Sequence, residues 1–567
     1  MTSLSTLLAE LASKDIKLWA DGEKLRCSGP DQFMTAELQA ELGARKTELL
    51  AFLNKSHGPE DSKPIALAAV PRGGDIPLSL GQERIWSLAE RQPQSSVYNI
   101  STAFQLLGPL NVPALEQSLD ELQRRHEILR TIFPADHGKP RQLICPAAPL
   151  ILPLTDIAQD LRMLPSERRE LEVRRLLESE VQRPFDLRTG PLWRSRLFRL
   201  RDNEHVLSLT MHHIIFDGRS KYVFLNELGL FYQAFSAGTN PEIAALPIQY
   251  ADFTSWQRNW FQGEILERQF VYWKKELGGS VCELRLPADH LRPPASTFRG
   301  GNLVFDLPDS LADTLAGLSR REQASLFITL LAAFCALLHR YTDQDDLLVC
   351  CPFAARDRAE LEGLIGYFNN IVVMRADLSA DPSFRELIGR VRRVALKASE
   401  NQNLPLQKLA ELPNLVRTPL ARAMFSFQEI SSRTLNLSGV DATPIDLRKE
   451  AADFDLAMYM ESARGKLSGV LEYNADLFDD QTIAQMLKHF QSVLEVVAAN
   501  PDQQLSQLPR FARELTEIEA LLANHPQIDE AAILRAQNHS GLVAYLVLNE
   551  YDVPSLEEIR DFARAAL

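Results

Sequence analysis

The chain has 567 residues, of which 45% are hydrophobic and 24% charged, and its formal net charge is −14. This length is too great for one ordinary hydrophobic core, so we expect two or more domains, and the composition excludes a mainly disordered or fibrous protein. The acidic charge argues against a non-specific nucleic-acid-binding protein, because such proteins carry basic surfaces that neutralise phosphates. We therefore expect a multidomain globular protein that does not bind nucleic acid.

The six cysteines show the pattern of neither a disulfide framework nor a metal site. The adjacent Cys350 and Cys351 lie in an apolar run, where small buried residues are expected. The N-terminus lacks the basic leader and apolar run of a signal peptide, and no stretch approaches the ~18 apolar residues of a membrane helix. We therefore expect a cytoplasmic protein without a bound metal or a membrane segment.

Residues 1–55 predict a small unit of helices and one hairpin. Leucines repeat at helical spacing near the start, and two short strands meet across Asp21-Gly22, which is a strong hairpin signal. A second apolar helical face follows Thr35. Residues 56–76 carry proline and glycine without periodicity, so they predict a linker.

Helical and strand patterns are mixed from residue 77 to about residue 509, and a smaller helix–strand–strand–helix pattern follows. The mixture indicates an α+β fold rather than a purely helical or purely β protein. The clearest predicted helices are Leu115–Arg125, Arg219–Phe235, Ala324–His339, Gln481–Ala498 and Glu514–Ala523, and the clearest strands are His205–Met211, Leu347–Cys351, Asn370–Met374, Ala531–Arg535 and Leu542–Leu548.

The strongest chemical signal is the segment from Leu207 to Gly218. An apolar strand delivers His212 and His213, and an Asp217-Gly218 turn then opens a helix. Adjacent side chains on a strand point to opposite sides, so only one of the histidines can face a given cavity. An aspartate at this spacing can turn inward and pair with a buried cation, while Gly218 permits a tight turn.

This histidine–aspartate loop is open to two interpretations. A histidine at a strand end is often a satisfied member of the core, and short motifs have chance matches. The combination of two histidines, an aspartate and a glycine at fixed spacing favours an acyltransferase site instead. The loop by itself does not indicate which acyltransferase.

Further motifs resemble those of the condensation domains of non-ribosomal peptide synthetases, and they follow the order of that family. The opening motif resembles the LCL subtype, which joins an L-configured or achiral donor to an L-configured acceptor. Three departures, Arg219, Asn369-Asn370 and Asn401–Leu406, leave the substrates open, including a polyketide-derived donor. The motifs that carry the resemblance are Leu78–Trp86, Val97–Ile100, Arg125–Phe133, Tyr250–Gln257, Ile365–Asn370 and Arg417–Gln428.

The resemblance implies a V-shaped pseudo-dimer of two chloramphenicol-acetyltransferase-like lobes over residues 77–509. The N-terminal lobe would cover about 77–245 and the C-terminal lobe about 246–509. A channel between the lobes would receive a donor and an acceptor thioester, each on the phosphopantetheine arm of a carrier protein. No cofactor would be bound to the chain itself.

The resemblance also implies a role for each residue of the loop. His213 would face the channel, orient the attacking amine and take its proton, and His212 would be mostly architectural. Asp217 would hold the loop, with Arg356 as its partner, although a solvated surface arginine is an alternative at that position. The chemistry of the reaction, separately from the resemblance, suggests the Gly218 N–H as a donor to the oxyanion.

Residues 1–55 resemble the N-terminal docking domain of the tubulysin-synthetase type. In that family the exposed hairpin captures the C-terminal tail of an upstream synthase, and the domain often dimerises. Lys17, Lys24 and Arg26 would provide positive charge for an acidic tail, although an ordinary solvated hairpin is the alternative for each of them.

Residues 510–567 resemble the start of an adenylation domain's C-terminal subdomain, which predicts a small α/β fragment. Neither an ATP-binding core nor a phosphate loop is found, so we expect no adenylation. We favour a chain cut from a longer synthetase, and the alternative is a remnant that serves as a spacer or as a contact for a carrier protein. Two alternatives to a condensation enzyme stay open. They are a CoA-dependent acyltransferase and a catalytically inactive scaffold that recruits carrier proteins.

Overall fold

The structure is a computed structural model of the chain. In the hairpin at 17–28, only the backbone is described. The described residues are 17–21, 24–28, 42–49, 66–159, 165–279, 283–294, 297–354, 356, 358–410, 422–430, 435–447, 451–463, 465–509, 522, 525, 527–535, 542–548, 554–555 and 558–559.

The described strands form two large sheets and several short ribbons. In chain order the strands are β1 (Lys17–Asp21), β2 (Lys24–Ser28), β3 (Asn99–Leu107), β4 (Thr131–Ile132), β5 (Ala135–Asp136), β6 (Lys139–Pro140), β7 (Leu143–Ile144), β8 (Leu154–Asp156), β9 (Trp193–Arg201), β10 (Glu204–His212), β11 (Gly300–Asp306), β12 (Asp346–Ala354), β13 (Asn369–Asp377), β14 (Ala423–Ile430), β15 (Asp441–Ile445), β16 (Leu456–Ala463), β17 (Lys466–Asn474), β18 (Ile528–Arg535) and β19 (Leu542–Leu548). The α-helices are α1 (Leu80–Arg91), α2 (Val112–Arg125), α3 (Ser166–Gln182), α4 (Gly218–Ser236), α5 (Tyr250–Trp260), α6 (Glu264–Glu276), α7 (Asp309–Arg321), α8 (Leu326–Thr342), α9 (Ala359–Glu362), α10 (Phe384–Glu400), α11 (Leu406–Ala410) and α12 (Asp480–Ala499).

The first lobe is built on a five-stranded sheet with the order β15-β3-β10-β9-β8. Helices α2 and α4 pack against each other in this lobe. Leu115, Leu119 and Leu122 lie on the buried stripe of α2, at the spacing that places side chains on one face of a helix. These apolar side chains and those of the central strands form one continuous core.

The second lobe is built on a six-stranded sheet with the order β11-β17-β16-β14-β12-β13. Helix α8 is apolar over most of its surface and is the central helix of this core, which explains its long unbroken hydrophobic run. Cys335 of this helix and the strand residues Cys350 and Cys351 are buried here, as expected for small apolar side chains. Strand β14 runs parallel to both of its neighbours, β12 and β16.

The two lobes are not separated by a single cut in the chain near residue 245. Strand β15, from late in the chain, pairs antiparallel with β3 and so extends the sheet of the first lobe. Tyr250, Leu361 and Phe368 also belong to the core of the first lobe. The division at 245/246 therefore differs from the observed packing, because strand pairing and burial join segments that are distant in sequence.

The second half of the predicted linker is fixed to the first lobe. Arg72 donates two hydrogen bonds to the buried carboxylate of Asp252, at 2.6 and 3.0 Å, and one to Glu127 at 2.7 Å. The Val70 N–H donates to Asp252 as well, at 2.8 Å. Residues 66–76 thus form a strap on the condensation-like region rather than a free spacer.

The flanking segments are described in part. Strands β1 and β2 pair antiparallel, with Asp21 opposite Lys24, which confirms the predicted hairpin. Strands β18 and β19 also pair antiparallel, at the positions predicted for them, whereas the helix predicted at Glu514–Ala523 lies outside the described residues apart from Leu522. Within the described part of the chain, no single helix is long and apolar enough to cross a membrane.

Candidate functional site

The histidine–aspartate loop lies at the end of the central strand of the first sheet. Strand β10 pairs with β3 on one side and with β9 on the other, up to His212 opposite Asn99. A short 3-10 turn, His213–Ile215, follows at once, and Asp217 is the N-cap of α4. Because the strand is paired on both sides and the helix is packed in the core, the loop between them has little freedom.

The His213 ring is oriented by its own loop. Its Nδ1 lies 2.6 Å from the Phe216 carbonyl oxygen, and its backbone N–H donates to the Tyr98 carbonyl at 2.8 Å. The Tyr367 ring meets it edge-on, with 4.9 Å between ring centroids. Since a carbonyl oxygen only accepts, Nδ1 carries the proton, and in the neutral ring Nε2 is the basic nitrogen.

His212 has a different environment from its neighbour. Its side chain is buried, and its Nδ1 accepts the Ile214 N–H at 3.1 Å. Burial, with a smaller effect from His213, lowers the pKa of His212 to about 3. His212 is therefore neutral at physiological pH and acts as an acceptor that shapes the turn.

Asp217 is fully buried and is held from three directions. The Ser220 N–H donates to its Oδ1 at 2.7 Å, as in a helix N-cap, and the Phe368 N–H donates to its Oδ2 at 3.1 Å. The Arg356 guanidinium lies 3.4 Å from Oδ1. No hydrogen bond described for Asp217 involves His213, so this is not the arrangement of a Ser-His-Asp triad.

Arg356 is buried beside the loop and is not a solvated surface arginine. It donates to the carbonyl oxygens of Leu361 and Leu364, at 2.6 and 2.8 Å, and to the Ser220 hydroxyl at 3.0 Å. Its guanidinium carbon also lies 3.8 Å from the centre of the Phe368 ring. Burial lowers the pKa of Arg356, and Asp217 opposes that shift by favouring the charged form.

Gly218 fills a different role from the expected tight turn. It is not among the described glycines with positive φ, and it is the first residue of α4, so backbone freedom does not explain it. A Cβ at this position would overlap the side-chain amide of Gln428, which comes from β14 in the second lobe. A side chain at residue 218 would therefore have to displace the flexible end of Gln428.

Several contacts of the loop were not anticipated from the sequence. The Gln82 amide donates to the Ile214 carbonyl at 3.0 Å, and the Ser220 hydroxyl donates to the Gly366 carbonyl at 2.8 Å. Tyr367 and Gln428 approach the loop from the second half of the chain. Except for Ser220, these residues lie in the motifs already recognised, but spacing alone does not reveal which motif residues touch.

A cavity of about 490 Å³ lies beside the strand that delivers the histidines. His212, Tyr98 and Phe185 line it together with the end of α1, and Arg188 and Glu90 form an ion pair at its wall. His213 is not among its lining residues. The expected opening of His213 to a channel therefore stays a prediction.

The docking residues named from the sequence are described only in part. Lys17, Lys24 and Arg26 lie on β1 and β2, and their side chains fall outside the described residues. Over the part of the chain that the structure describes, no group of three or more His, Cys, Asp or Glu side chains could hold a metal ion.

Comparison with protein families finds two matches. Residues 73–515 match the condensation domain family, and residues 4–55 match the TubC N-terminal docking domain family. The second match covers the segment with the predicted hairpin.

Curated relatives are longer than this chain. Chondramide synthase cmdD from Chondromyces crocatus is 40% identical over 449 residues, which is 78% of this chain and 11% of that protein. Phosphinothricin tripeptide synthetase PhsC from Streptomyces viridochromogenes is 36% identical over 81% of this chain and 43% of that protein. The chain thus corresponds to one part of each of these synthetases.

Solved structures share the fold. The X-domain from teicoplanin biosynthesis aligns with a TM-score of 0.69 at 32% identity, over 79% of this chain and 100% of that one. The first condensation domain of the calcium-dependent antibiotic synthetase aligns with a TM-score of 0.68 at 19% identity, over 78% and 100% of the two chains. At that lower identity the likeness concerns the fold alone.

Proposed function

Because the chain belongs to the condensation domain family, we propose that it joins a carrier-bound acyl or peptidyl donor to a carrier-bound aminoacyl acceptor through an amide bond. The observation that carries this proposal is the orientation of His213. Its Nδ1 is occupied by the Phe216 carbonyl, so its Nε2 is the basic atom of the ring. A neutral histidine with that tautomer suits a group that receives a proton from an amine.

The reaction requires little base strength. A thioester is already activated, and an α-amine with a pKa near 8 is partly neutral at cellular pH. In the proposed step the amine nitrogen attacks the thioester carbon, its proton passes to His213, and the C–S bond then breaks to release a thiol. Proton transfer of this kind contributes about 10²–10⁴-fold, and holding two tethered reactants together supplies much of the rest.

Asp217 and Arg356 are positioning residues in this proposal. The carboxylate caps α4 and receives the Phe368 N–H, and the guanidinium binds carbonyls that follow it in the chain. Together they fasten the loop to the segment that carries Tyr367, whose ring contacts His213. The pair therefore acts on the reaction through the position of the histidine.

The partners follow from the two family matches. We infer that carrier proteins present both substrates on phosphopantetheine arms, and that no cofactor is held by the chain. The docking domain would bind the C-terminal tail of an upstream synthase beside its hairpin, with Lys17, Lys24 and Arg26 facing an acidic tail. We also propose that the docking domain forms a homodimer and that the protein is cytoplasmic. Residues 510–567 are proposed to be a partial adenylation subdomain.

A second candidate function is a scaffold without catalysis that recruits another protein. The teicoplanin X-domain, with the same fold at 32% identity, is known in a complex with OxyB. That likeness favours a recruiting role for this chain as an alternative to bond formation.

One experiment separates the candidates. The chain is incubated with donor- and acceptor-loaded carrier proteins, or with the same groups as free CoA thioesters, and products are read by intact-protein mass spectrometry. Amide formation on carriers but not from CoA supports condensation. Transfer only from CoA would show a CoA-dependent acyltransferase, and binding of loaded carriers without any product would show a scaffold.

The His213→Ala variant tests the site directly. We expect a loss of condensation of about 10²–10⁴-fold, because the proton acceptor is removed. Circular dichroism and urea unfolding should show a folded variant, since the ring is only partly buried. A variant that keeps full activity would contradict the assignment.

A further inference from the structure

The side chain of Gln428, from the second lobe, approaches the histidine–aspartate loop at Gly218. Its backbone is fixed in β14, where Gln428 pairs with Glu461 of β16 in parallel register. The three atoms nearest to the Cβ position of Gly218 are Nε2, Oε1 and Cδ of Gln428. The amide therefore lies where any other residue at 218 would place its side chain.

The Gln428 side chain is partly buried beside Gly218. No hydrogen bond joins its amide to another residue within the described part of the chain. Amide groups near a protein interior normally find partners, because an unmade hydrogen bond costs free energy. A partly open amide beside the reacting loop thus has donor capacity for a ligand.

The proposed reaction needs such a donor. When the amine attacks the thioester carbon, the C=O π electrons move to oxygen, which becomes an oxyanion in the tetrahedral adduct. When the adduct collapses, the C=O bond re-forms and the C–S pair leaves with sulfur, which takes up a proton. A preorganised N–H beside that oxygen lowers the barrier, and removal of one such donor typically costs about 10²–10³-fold in kcat.

We propose that Gln428 Nε2 donates a hydrogen bond to the thioester carbonyl oxygen as it becomes an oxyanion. This inference rests on the proposed condensation activity. It assigns a catalytic residue to the second lobe, whereas the loop with His213 belongs to the first. It also gives a reason for Gly218, because any side chain at that position would displace the amide.

The experiment combines substitutions at the two positions. Gln428→Ala removes the amide, Gln428→Glu keeps the shape but cannot donate when ionised, and Gly218→Ala pushes the amide away. Each is measured for kcat and KM with loaded carriers and for unfolding in urea. The matched control is Gln481→Ala, which makes the same change on the exposed side of α12.

We expect kcat to fall about 10²-fold or more in Gln428→Ala and Gln428→Glu. KM for the acceptor carrier and the urea midpoint should change little. If Gln428 had only a structural role, the urea midpoint would fall together with kcat. Gly218→Ala should lower kcat in the parent chain but add less than about threefold in the Gln428→Ala background, because its target is already absent.

Other outcomes overturn the inference. If Gln428→Ala and Gln428→Glu keep activity within about threefold of the parent, Gln428 does not stabilise the oxyanion. If the losses from Gly218→Ala and Gln428→Ala multiply, the two residues act independently. If the parent chain makes no amide at all, the proposed function fails first, and this inference fails with it.

Discussion

At the residue scale, Asp217 and Arg356 illustrate how a buried charge is retained. Neither side chain has appreciable exposure, yet each has several hydrogen-bond partners. A buried ion pair is not by itself a source of stability, but removal of one member leaves the other charged and unpaired. The pair is therefore best understood as fixing where the loop lies.

The first prediction concerns this pair. Arg356→Ala should lower the free energy of unfolding by about 3–5 kcal/mol, because Asp217 is left as a buried carboxylate. Adding Asp217→Asn should recover part of the loss. Urea unfolding measures both, with exposed Arg320→Ala as the matched control. An Arg356→Ala variant within about 1 kcal/mol of the parent would contradict the role of the pair.

His212 provides a second test at the residue scale, in the dependence of stability on pH. Its pKa of about 3 in the folded chain is below the value of about 6.5 expected when unfolded. The unfolded chain therefore binds a proton first as the pH falls. The contribution of His212 to stability is complete above about pH 6.5 and is lost progressively toward pH 3.

As the pH is lowered, we expect the free energy of unfolding to fall more steeply in the parent chain than in His212→Asn. The difference between the two slopes should be at most about 1.4 kcal/mol per pH unit. Urea midpoints at pH 7, 6 and 5 give the two slopes. His137→Asn, at an exposed turn position, is the control and should keep the parent slope. Equal slopes for parent and His212→Asn would show that His212 is not held neutral.

At the element scale, the strap at 66–76 is fastened to the first lobe mainly by one buried carboxylate, that of Asp252. Burial alone would raise the pKa of Asp252, but the hydrogen bonds from Arg72 and the backbone lower it. The strap is thus held by a charged group that is fully buried. Arg72 thus fixes residues 66–76 to the first lobe through Asp252 and Glu127.

The Arg72→Ala variant tests whether Arg72 anchors the strap to the first lobe. Loss of its bonds to Asp252 and Glu127 should lower the free energy of unfolding by about 1–3 kcal/mol and speed amide hydrogen exchange over residues 66–76. Arg141→Ala removes an exposed, 3.9 Å ion pair with Asp75 and should cost under about 0.5 kcal/mol. If exchange over the strap is unchanged in Arg72→Ala, the anchor lies elsewhere.

At the scale of the whole molecule, the two lobes are joined by charge as well as by β15. Arg84 of α1 lies 3.1 Å from Asp453, which precedes β16, and the two are 369 residues apart in sequence. Burial works against the charge on Arg84, but Tyr367 and Asp453 outweigh it and raise the pKa. This contact ties the lobes together near Tyr367, the residue that touches His213.

Asp453→Asn should therefore weaken the junction between the lobes. We expect a loss of about 1–3 kcal/mol in the free energy of unfolding, because Arg84 loses its charged partner. Amide exchange should rise at α1 and around Tyr367 and stay unchanged in the outer helix α7. Asp313→Asn, on the exposed face of α7, is the control. Unchanged exchange at α1 would show that the ion pair does not hold the lobes.

Much of the local structure was predictable, because it depends on neighbours in the chain. The helix α2 and the strands β10, β12 and β13 lie within a few residues of their predicted bounds, since periodicity and burial agree there. The reason for Gly218 was predicted wrongly as a turn requirement, because its neighbour Gln428 comes from a distant strand of the other lobe.

The sequence by itself determined the hairpin, the apolar cores and the order of motifs that places His213 and Asp217 between a strand and a helix, since each follows from short-range spacing. Only the tertiary structure decided that Arg356 is buried against Asp217 and is not solvated, that Arg72 binds Asp252 across 180 residues, and that β15 joins the first sheet. Spacing along a chain carries no information on such contacts, because their geometry arises only when the two lobes pack.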